Sequence, residues 1–514
     1  MGTPNFSSLK QLISKSTFQF LKQLSLQQPR NPQFNSPSNF TITRNLTQIY
    51  PNFDNSLHTK TVQFVANLPK TSIIPLLEQY EKCNVVKHNE LKKIIHTLRQ
   101  KHLFDRALEV SEWMTSRSLG QPISGDLAVR LDLTGQVHGI DAAERFFNEV
   151  NEHSERMYGA LLSCYVKADL VDKSLSHFKT MKDKGLITNA LAYNNIMTLY
   201  MKIGQVEKVP KLLIEMEENS VSPDGVSFKI CLKSLALKSD TTSMEKVVSI
   251  IESESRLSMD WSTCSLVANH FIDEGCTEKA VYYLQQAEHR VRENPVGIKH
   301  LITMYAKLGN LTQVMSLWQK HKAVCKAQIN VDYMTMIGSL VKMDEFQEAD
   351  RILREWESSG NLYDFRVPNV LLLGYSRKGL VEKAERILEE IISNGKMPVP
   401  NTWSIISAGH IECRNMDKAL RCMKKALELG VGNQSWVPNQ EVVSSLLKWL
   451  GDEGEIGEVN RFIEALNRVV PMDRVMYHTL LRANIRHGNE VGDILQRMQA
   501  ASIDVDEETS KLLG

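Results

Sequence analysis

The sequence lacks closely spaced cysteines: no C-x-x-C pair occurs in its 514 residues. Its eight cysteines stand singly, at Cys83, Cys164, Cys231, Cys264, Cys276, Cys325, Cys413 and Cys422. A paired-cysteine metal or redox motif is therefore missing. The pattern indicates a reducing compartment, in which the thiols act as small, mostly buried side chains.

Long apolar runs and N-terminal acids are missing as well. No run of eighteen apolar residues exists, so we predict no membrane insertion. Residues 1–53 contain five bases, no acid and many Ser, Thr, Asn and Gln residues. This composition predicts a transit peptide, with the mitochondrion favoured and the chloroplast second; a disordered tail is the alternative. The five bases leave 56 of the 61 Lys and Arg for the rest of the chain, against all 60 acids, so the body is not strongly basic.

Signatures of catalysis are incomplete. His88 and Glu90 supply the first half of a deaminase motif, but no P-C-x-x-C follows. Gly451, Gly454 and Gly457 lack the preceding strand and the following Lys-Ser/Thr of a phosphate loop. The remaining candidate ligands are single histidines in helical segments, His300, His410 and His487. We therefore predict no catalytic residue, metal site, cofactor or small-molecule substrate.

What the sequence does contain is a helical repeat, seen most clearly at residues 190–224. Two segments there carry apolar residues at helical spacing, and Gly204 separates them. The first stripe consists of Tyr193, Ile196, Met197 and Tyr200, and the second of Val206, Val209, Leu212, Leu213 and Met216. A turn-forming cluster ending in Pro223-Asp224 closes the unit. Pro210, inside the second helix, is expected to bend or loosen its first turns.

The unit recurs with a period of about 35 residues. Small or β-branched residues expected at the packing face of the second helix follow at steps of 34 or 35: Ala280, Val314, Ala349, Ala384 and Ala419. Glycines expected between the two helices recur as Gly204, Gly275, Gly309, Gly379, Gly454 and Gly488. Because a helix pair of this size buries its stripes only by stacking on others, the period predicts an all-α solenoid. We assign about twelve pairs to residues 73–508, with 225–260 irregular, and a tail at 509–514.

Several residues of the unit resemble the pentatricopeptide repeat. Tyr193-Asn194, Gly204, Met216 and Pro223-Asp224 match its pattern, which returns in part around Tyr158, Tyr333 and Asn369. The W-x-x-L-G-x-x-Y signature of the tetratricopeptide repeat is absent. The chain is most similar to plant organellar members that contain plain repeats and no C-terminal catalytic domain. The resemblance implies a right-handed superhelical α-solenoid.

That family implies binding of single-stranded RNA on the concave face, one base per repeat. An amide at the fifth position of a repeat would contact the base edge, a carboxylate at the last position would orient the amide, and an apolar residue at the second position would pack on the base. Carried over, Asn194 and Asp224 read a base, with uracil preferred, between Leu191 and Val226. An alternative reading of Asn194 and Asp224 is that they are helix-cap and turn residues.

Other repeats depart from this pattern. Their fifth and last positions read Gly159/Asn189, Met334/Asp364 and Asn369/Val399, while Ser404, Ser444 and His478 occupy later fifth positions. Glycine and methionine cannot make the amide contact. The further RNA-binding candidates are therefore Asn189, Asn369, Asp364 and Ser404.

The resemblance implies a non-enzymatic protein that binds mitochondrial RNA and acts in its processing, stabilisation or translation. The alternative is a structural subunit of a mitochondrial ribonucleoprotein, such as the ribosome, held by protein or ribosomal RNA contacts.

Overall fold

A computed structural model describes residues 61, 72–83, 86–117, 123–254, 257–433 and 435–513. The predicted transit peptide lies outside these residues. The described part forms α-helices and contains no strand, which confirms the predicted fold class. Its helices fall into two compact units that divide after residue 121. No helix in the described ranges combines the length and apolarity needed to cross a membrane.

The first unit contains α1 (Ile74–Cys83), α2 (His88–Gln100) and α3 (Phe104–Ser116). The amphipathic helix α2 buries one stripe of four residues, Leu91, Ile94, Ile95 and Leu98. It packs against α3, where Trp113 and Met114 are among the buried residues. The unit thus holds one helix pair, preceded by α1.

The second unit contains eleven helix pairs and a final helix. Its first helices are α4 (Ser124–His138), α6 (Glu155–Lys167), α8 (Leu191–Lys202), α10 (Gly225–Leu237), α12 (Trp261–Asp273), α14 (Pro295–Lys307), α16 (Asn330–Lys342), α18 (Arg366–Arg377), α20 (Pro400–Glu412), α22 (Gln440–Glu453) and α24 (Arg474–Arg486). Its second helices are α5 (Ile140–Glu149), α7 (Val171–Asp183), α9 (Val209–Glu218), α11 (Thr241–Ser253), α13 (Thr277–Val291), α15 (Leu311–Val324), α17 (Phe346–Glu357), α19 (Val381–Ser393), α21 (Met416–Gly430), α23 (Ile456–Asn467) and α25 (Gly492–Ala500), and α26 (Glu507–Leu513) follows. With α2 and α3, the described residues hold the twelve pairs that the period predicts.

Most of the turns form as predicted. Five of the six interhelix glycines have φ between +71° and +76°, the left-handed region in which glycine carries no Cβ penalty. Gly454 differs, with φ −74°. In pairs without glycine, Asp169, Ser239 and Asp344 adopt the same positive φ. A missing glycine therefore does not mark a missing repeat, because short polar residues tolerate this conformation.

One local expectation was wrong. Residues 225–260 form a regular pair, α10 and α11, because the Asp224 side chain caps α10 and Asp240 caps α11. The expectation for Pro210 agrees with the structure, because the first turn of the second helix is not α-helical. A short 3₁₀ turn at Val206–Lys208 precedes α9, so the proline falls in the first turn of α9, where its missing N–H has no helical acceptor to lose.

The pairs stack through their first helices. Consecutive first helices of the second unit contact each other throughout, whereas second helices contact mainly the first helices beside them. The predicted packing residues Ala280, Val314, Ala349, Ala384 and Ala419 are all fully buried. The first helices thus form a continuous layer, and equivalent residues on them follow one another at intervals of one pair.

Candidate nucleic-acid interface

The predicted site in α8–α10 is assembled from three side chains. Asn194 Nδ2 donates a hydrogen bond of 3.1 Å to Asp224 Oδ1. Ser227 Oγ donates one of 2.7 Å to Asn194 Oδ1. Asn194 is 7% exposed, so these bonds fix which end of the amide is donor and which is acceptor. The amide keeps a second N–H and a second lone pair, the donor and acceptor that a base edge requires.

Asp224 has a second role as a helix cap. Its Oδ1 accepts the Ser227 backbone N–H at 2.9 Å, and its own backbone N–H donates to Ser227 Oγ at 3.1 Å. This capping box satisfies two backbone donors at the start of α10. Asp224 therefore has both roles: it caps α10, and it accepts a hydrogen bond from Asn194. Asn194 itself is no cap, because it lies in the first turn of α8.

Two exposed apolar side chains flank this cluster along the chain. Leu191 in α8 and Val226 in α10 occupy corresponding positions and are 57% and 54% exposed. The same position carries exposed valines in three further first helices, Val296, Val331 and Val475. Sequence reasoning named only Leu191 and Val226. The signal for the others is an apolar residue two positions after the last residue of a pair, where a soluble helix would ordinarily be polar.

The other predicted contacts are only partly assembled. Asn369 is 7% exposed, and its Oδ1 accepts a 2.9 Å hydrogen bond from Thr402, in a pair whose last residue is Val399. Ser404 is buried in α20. Asp364 is held by the Arg366 guanidinium, with an N–O distance of 2.6 Å. Thus Asn369 repeats the amide arrangement of Asn194 without the carboxylate.

Asn189 belongs to a local cap instead. Its Oδ1 accepts the Leu191 backbone N–H at 3.0 Å, and its Nδ2 donates to Glu155 Oε1 at 2.7 Å. The fifth position of its pair is Gly159, which offers no side chain. Asn189 therefore orients the start of α8, and it has no fifth-position amide to contact, because that position is Gly159.

The sequence did not reveal one further contact. A residue of the next pair forms a hydrogen bond or ion pair with the fifth-position side chain. This residue lies three positions after the last residue of the pair. Ser227 meets Asn194 in this way, and the equivalent contacts are Thr402 to Asn369 at 2.9 Å, Thr509 to His478 at 2.9 Å and Asp332 to Lys299 at 2.7 Å. A hydroxyl or carboxylate at that spacing, which also resembles a capping box, is the sequence signal.

A row of ion pairs lies at the ends of several first helices. Lysines there bond to aspartates 33 to 35 residues upstream: Lys167 to Asp132 at 2.6 Å, Lys202 to Asp169 at 2.8 Å and Lys378 to Asp344 at 2.7 Å. The lysine side chains are 40% to 51% exposed. The pairs of Lys202 and Lys378 are exposed on both sides and are therefore weak, so a phosphate group can replace the aspartate as partner, whereas the Asp132 side chain is only 10% exposed.

The Asp224 charge gives a pH-dependent prediction. Partial burial alone would raise the pKa of Asp224, but hydrogen bonds from the Ser227 backbone and from Asn194 hold it below its ordinary value. A lowered pKa means that the ionised carboxylate stabilises the fold at neutral pH and that this stabilisation is lost as pH falls through the folded-state pKa. We expect Asp224→Asn, which keeps the cap but removes the charge, to cost about 0.3–1 kcal/mol at pH 7.

The measurement is the difference in thermal midpoint between wild type and Asp224→Asn from pH 7 to pH 3. The difference should shrink below about pH 4, because residue 224 of the unfolded wild type then takes up a proton more readily than the folded state does. A difference that stays constant across this range would show that the carboxylate charge contributes nothing.

Comparisons with known proteins agree with the repeat assignment. The PPR repeat family model matches residues 188–236, and the PPR repeat model matches residues 156–186, 331–361 and 367–395. Pentatricopeptide repeat-containing protein At4g21705, mitochondrial, of Arabidopsis thaliana is 42% identical, and the match covers 87% of this chain and 92% of that protein.

One further sequence relative and one solved structure are also similar to this chain. The large ribosomal subunit protein mL101 (rPPR4) of Arabidopsis thaliana is 31% identical, over 82% of this chain and 87% of that protein. A solved structure of the pentatricopeptide repeat protein PPR10 in complex with an 18-nt psaJ RNA element matches with a TM-score of 0.37 and 15% identity, covering 88% of this chain and 70% of that one. The helix pairs, their turns and the extent of the match to At4g21705 together establish that this chain belongs to the pentatricopeptide repeat proteins.

Proposed function

We propose that this protein binds single-stranded RNA in mitochondria through the first-helix layer of its second unit. The observation that carries the proposal is the Asn194–Asp224–Ser227 cluster, placed between the exposed side chains of Leu191 and Val226. The mitochondrial name of the relative At4g21705 agrees with the location predicted from the leader.

The chemistry of this cluster suits one base. An amide offers both a donor and an acceptor, which the N3–H and carbonyl groups of uracil complement. Exposed apolar side chains before and after the amide can pack on the two faces of the base, and full burial of an aliphatic side chain contributes about 1.5–3 kcal/mol. We therefore assign uracil as the base bound by the helix pair of residues 190–224.

The rest of the layer supports a short footprint. Asn369 with Thr402 repeats the amide geometry, whereas Gly159 and Met334 provide no polar group for a base. The lysines of the ion-pair row supply phosphate contacts that do not depend on sequence. We propose that the protein occupies a transcript and so affects its processing, stability or translation, without catalysing a reaction itself.

Replacing Val226 tests the proposal with little effect on folding, because its side chain is largely exposed. We expect Val226→Ala to weaken binding of a uridine-rich RNA by the full chain about 3- to 15-fold through lost apolar packing on the base, and Asn194→Ala to weaken it about 3- to 10-fold through lost hydrogen bonds. Fluorescence anisotropy with labelled RNA measures both.

The chain offers matched controls. Ile214 in α9 is 59% exposed but lies on a second helix, and Asn195 is the neighbour of Asn194 on α8. Neither Ile214→Ala nor Asn195→Ala should change RNA affinity. Equal losses in controls and test variants, or no RNA binding by the wild-type chain, would contradict the proposed interface.

The relative mL101 favours a second candidate, a structural role in the mitochondrial ribosome. Sedimentation of mitochondrial extracts separates the two roles. A protein that travels with the large ribosomal subunit and crosslinks only to ribosomal RNA would be a ribosomal component. A lighter complex that crosslinks to uridine-containing transcripts would be an RNA-binding factor.

A further inference from the structure

Three possible metal ligands converge in the second unit. Glu385 of α19, His410 of α20 and Cys422 of α21 each place one donor atom within 4.8 Å of the other two. Their donors are a carboxylate oxygen, an imidazole nitrogen and a thiol sulfur. The sequence showed His410 as a single histidine in a helical segment and did not indicate its two neighbours from other helices.

The cluster is buried and incompletely satisfied. His410 is fully buried and Cys422 is 5% exposed. His410 Nε2 lies 2.8 Å from Glu385 Oε1, but His410 Nδ1 has no hydrogen-bond partner in the part of the chain that the structure describes. Nε2 is the His410 nitrogen that faces Glu385 and is the candidate ligand, whereas the unpartnered Nδ1 is a separate feature that an ion on Nε2 would leave unchanged.

The ligands lie beside the junction of two groups of buried apolar residues. One group reaches Ile406 and Cys422, and the other begins at Ala419. The two groups adjoin in the pair α20 and α21, where Trp403 packs against both. Glu385, His410 and Cys422 therefore lie beside this junction.

We propose that Glu385, His410 and Cys422 bind a zinc ion. One oxygen, one nitrogen and one sulfur ligand form a donor set that suits Zn²⁺, and a tetrahedral ion separates its ligands by about 3.3–3.6 Å. The observed separations, from 2.8 Å to at most 4.8 Å, bracket this distance, so rotamer adjustments suffice to close the site. The fourth position is reached through Glu385, whose side chain is 26% exposed to solvent.

Two groups oppose binding and set its conditions. Lys418 Nζ lies 3.4 Å from the other Glu385 oxygen, and it must turn toward solvent or keep only that oxygen. Burial raises the pKa of the Cys422 thiol to about 11, so the metal must displace a proton from sulfur.

A bound ion would connect α19 of one pair to α20 and α21 of the next. It would add a link between two neighbouring pairs. The proposal is independent of RNA binding, because none of the three residues is among the proposed RNA contacts.

The test uses the full chain, which is stripped of metal with a chelator and dialysed first against ZnCl₂ and then against metal-free buffer. Elemental mass spectrometry then measures the zinc content per chain. Wild type should retain about one zinc per chain, and Cys422→Ser should retain less than about one fifth of that. The matched control is Cys231→Ser, another buried thiol, in α10, which should retain the wild-type content.

Cobalt substitution gives a second readout. Co²⁺-loaded wild type should show a thiolate-to-cobalt absorption band, which Cys422→Ser loses and Cys231→Ser keeps. Circular dichroism checks that the variants fold, and Glu385→Gln, a partly exposed and nearly isosteric change, replaces Cys422→Ser if that variant unfolds. Wild type without retained zinc, or zinc content unaffected by both Cys422→Ser and Glu385→Gln, would overturn the proposal.

Discussion

Replacing Trp318 by alanine should destabilise the solenoid by about 3–5 kcal/mol, the range for truncating a buried tryptophan. Trp318 lies in α15 and is fully buried. Its indole stacks on the His321 ring at 5.7 Å and meets Tyr333 of α16 edge-on at 5.5 Å. Alanine would leave a cavity between neighbouring pairs, and close packing allows only partial relaxation around it.

Phenylalanine at position 318 separates ring packing from hydrogen bonding. The indole Nε1 of Trp318 has no hydrogen-bond partner among the described residues, so Trp318→Phe loses no bond and removes a buried polar group. We expect it to cost less than half as much as Trp318→Ala. Guanidinium denaturation followed by circular dichroism measures both, and hydrogen exchange in α15 and α16 locates the loss.

The contrasting site is Trp449, which is only half-buried and whose indole donates to Glu453 within α22. Trp449→Ala should cost clearly less than Trp318→Ala. Comparable losses at both positions would show that tertiary packing at the junction of α15 and α16 contributes little to the effect of Trp318→Ala.

The repeat and its turns were predictable because they depend on neighbours in sequence. Apolar spacing and the glycine turns at residues such as Gly204 and Gly275 are local properties, so a single chain reveals them. Residues 225–260 were expected to be irregular, and no glycine marks their turn. Ser239 adopts φ +53° there, and Asp240 caps the next helix, so the pair forms with different residues.

The contacts of the site were less predictable because they join residues about one pair apart. The Asn194–Asp224 contact followed from the resemblance to a known repeat. Ser227, which holds the other end of the amide, looked like an ordinary residue of the following helix. Ser227 becomes recognisable as a partner only when stacked first helices place residues 33 positions apart side by side.

The Glu385–His410–Cys422 cluster could not be found from spacing at all. Its members come from three helices, and their separations of 25 and 12 residues match no metal motif. Packing of α19 against α20 and of α20 against α21 brings them together. Single histidines in helical repeats are thus ambiguous until their neighbours in the adjacent pair are known.

The second large effect is expected at Asp332, which is 4% exposed at the start of α16. Its Oδ1 lies 2.7 Å from Lys299 Nζ, and its Oδ2 accepts the Ile329 backbone N–H at 3.0 Å. Asp332→Ala removes the partner of a cation whose side chain is only 22% exposed. We expect a loss of about 3 kcal/mol, the lower part of the range for breaking a buried ion pair, because Lys299 can still turn toward water.

His321 adds a pH dependence to this change. Burial lowers the pKa of His321, while Asp332, 3.8 Å away, raises it in opposition. Without Asp332 the His321 pKa falls further, so protonation of His321 on acidification destabilises the variant more than the wild type. The stability difference between wild type and Asp332→Ala should therefore widen from pH 7 to pH 5.

Asp332→Asn decides whether the charge or the helix cap dominates at this position, and Asp493→Ala is the control for an exposed ion pair. Asp332→Asn keeps a side-chain acceptor for the Ile329 N–H but removes the charge, and Asp493→Ala removes an ion pair with Arg497 that is largely exposed. The exposed pair should contribute at most about 1 kcal/mol. If denaturation shows Asp332→Asn to be as stable as wild type, the capping hydrogen bond dominates. If Asp332→Asn loses nearly as much stability as Asp332→Ala, the buried charge dominates, because Asp332→Asn keeps the cap and removes only the charge that pairs with Lys299.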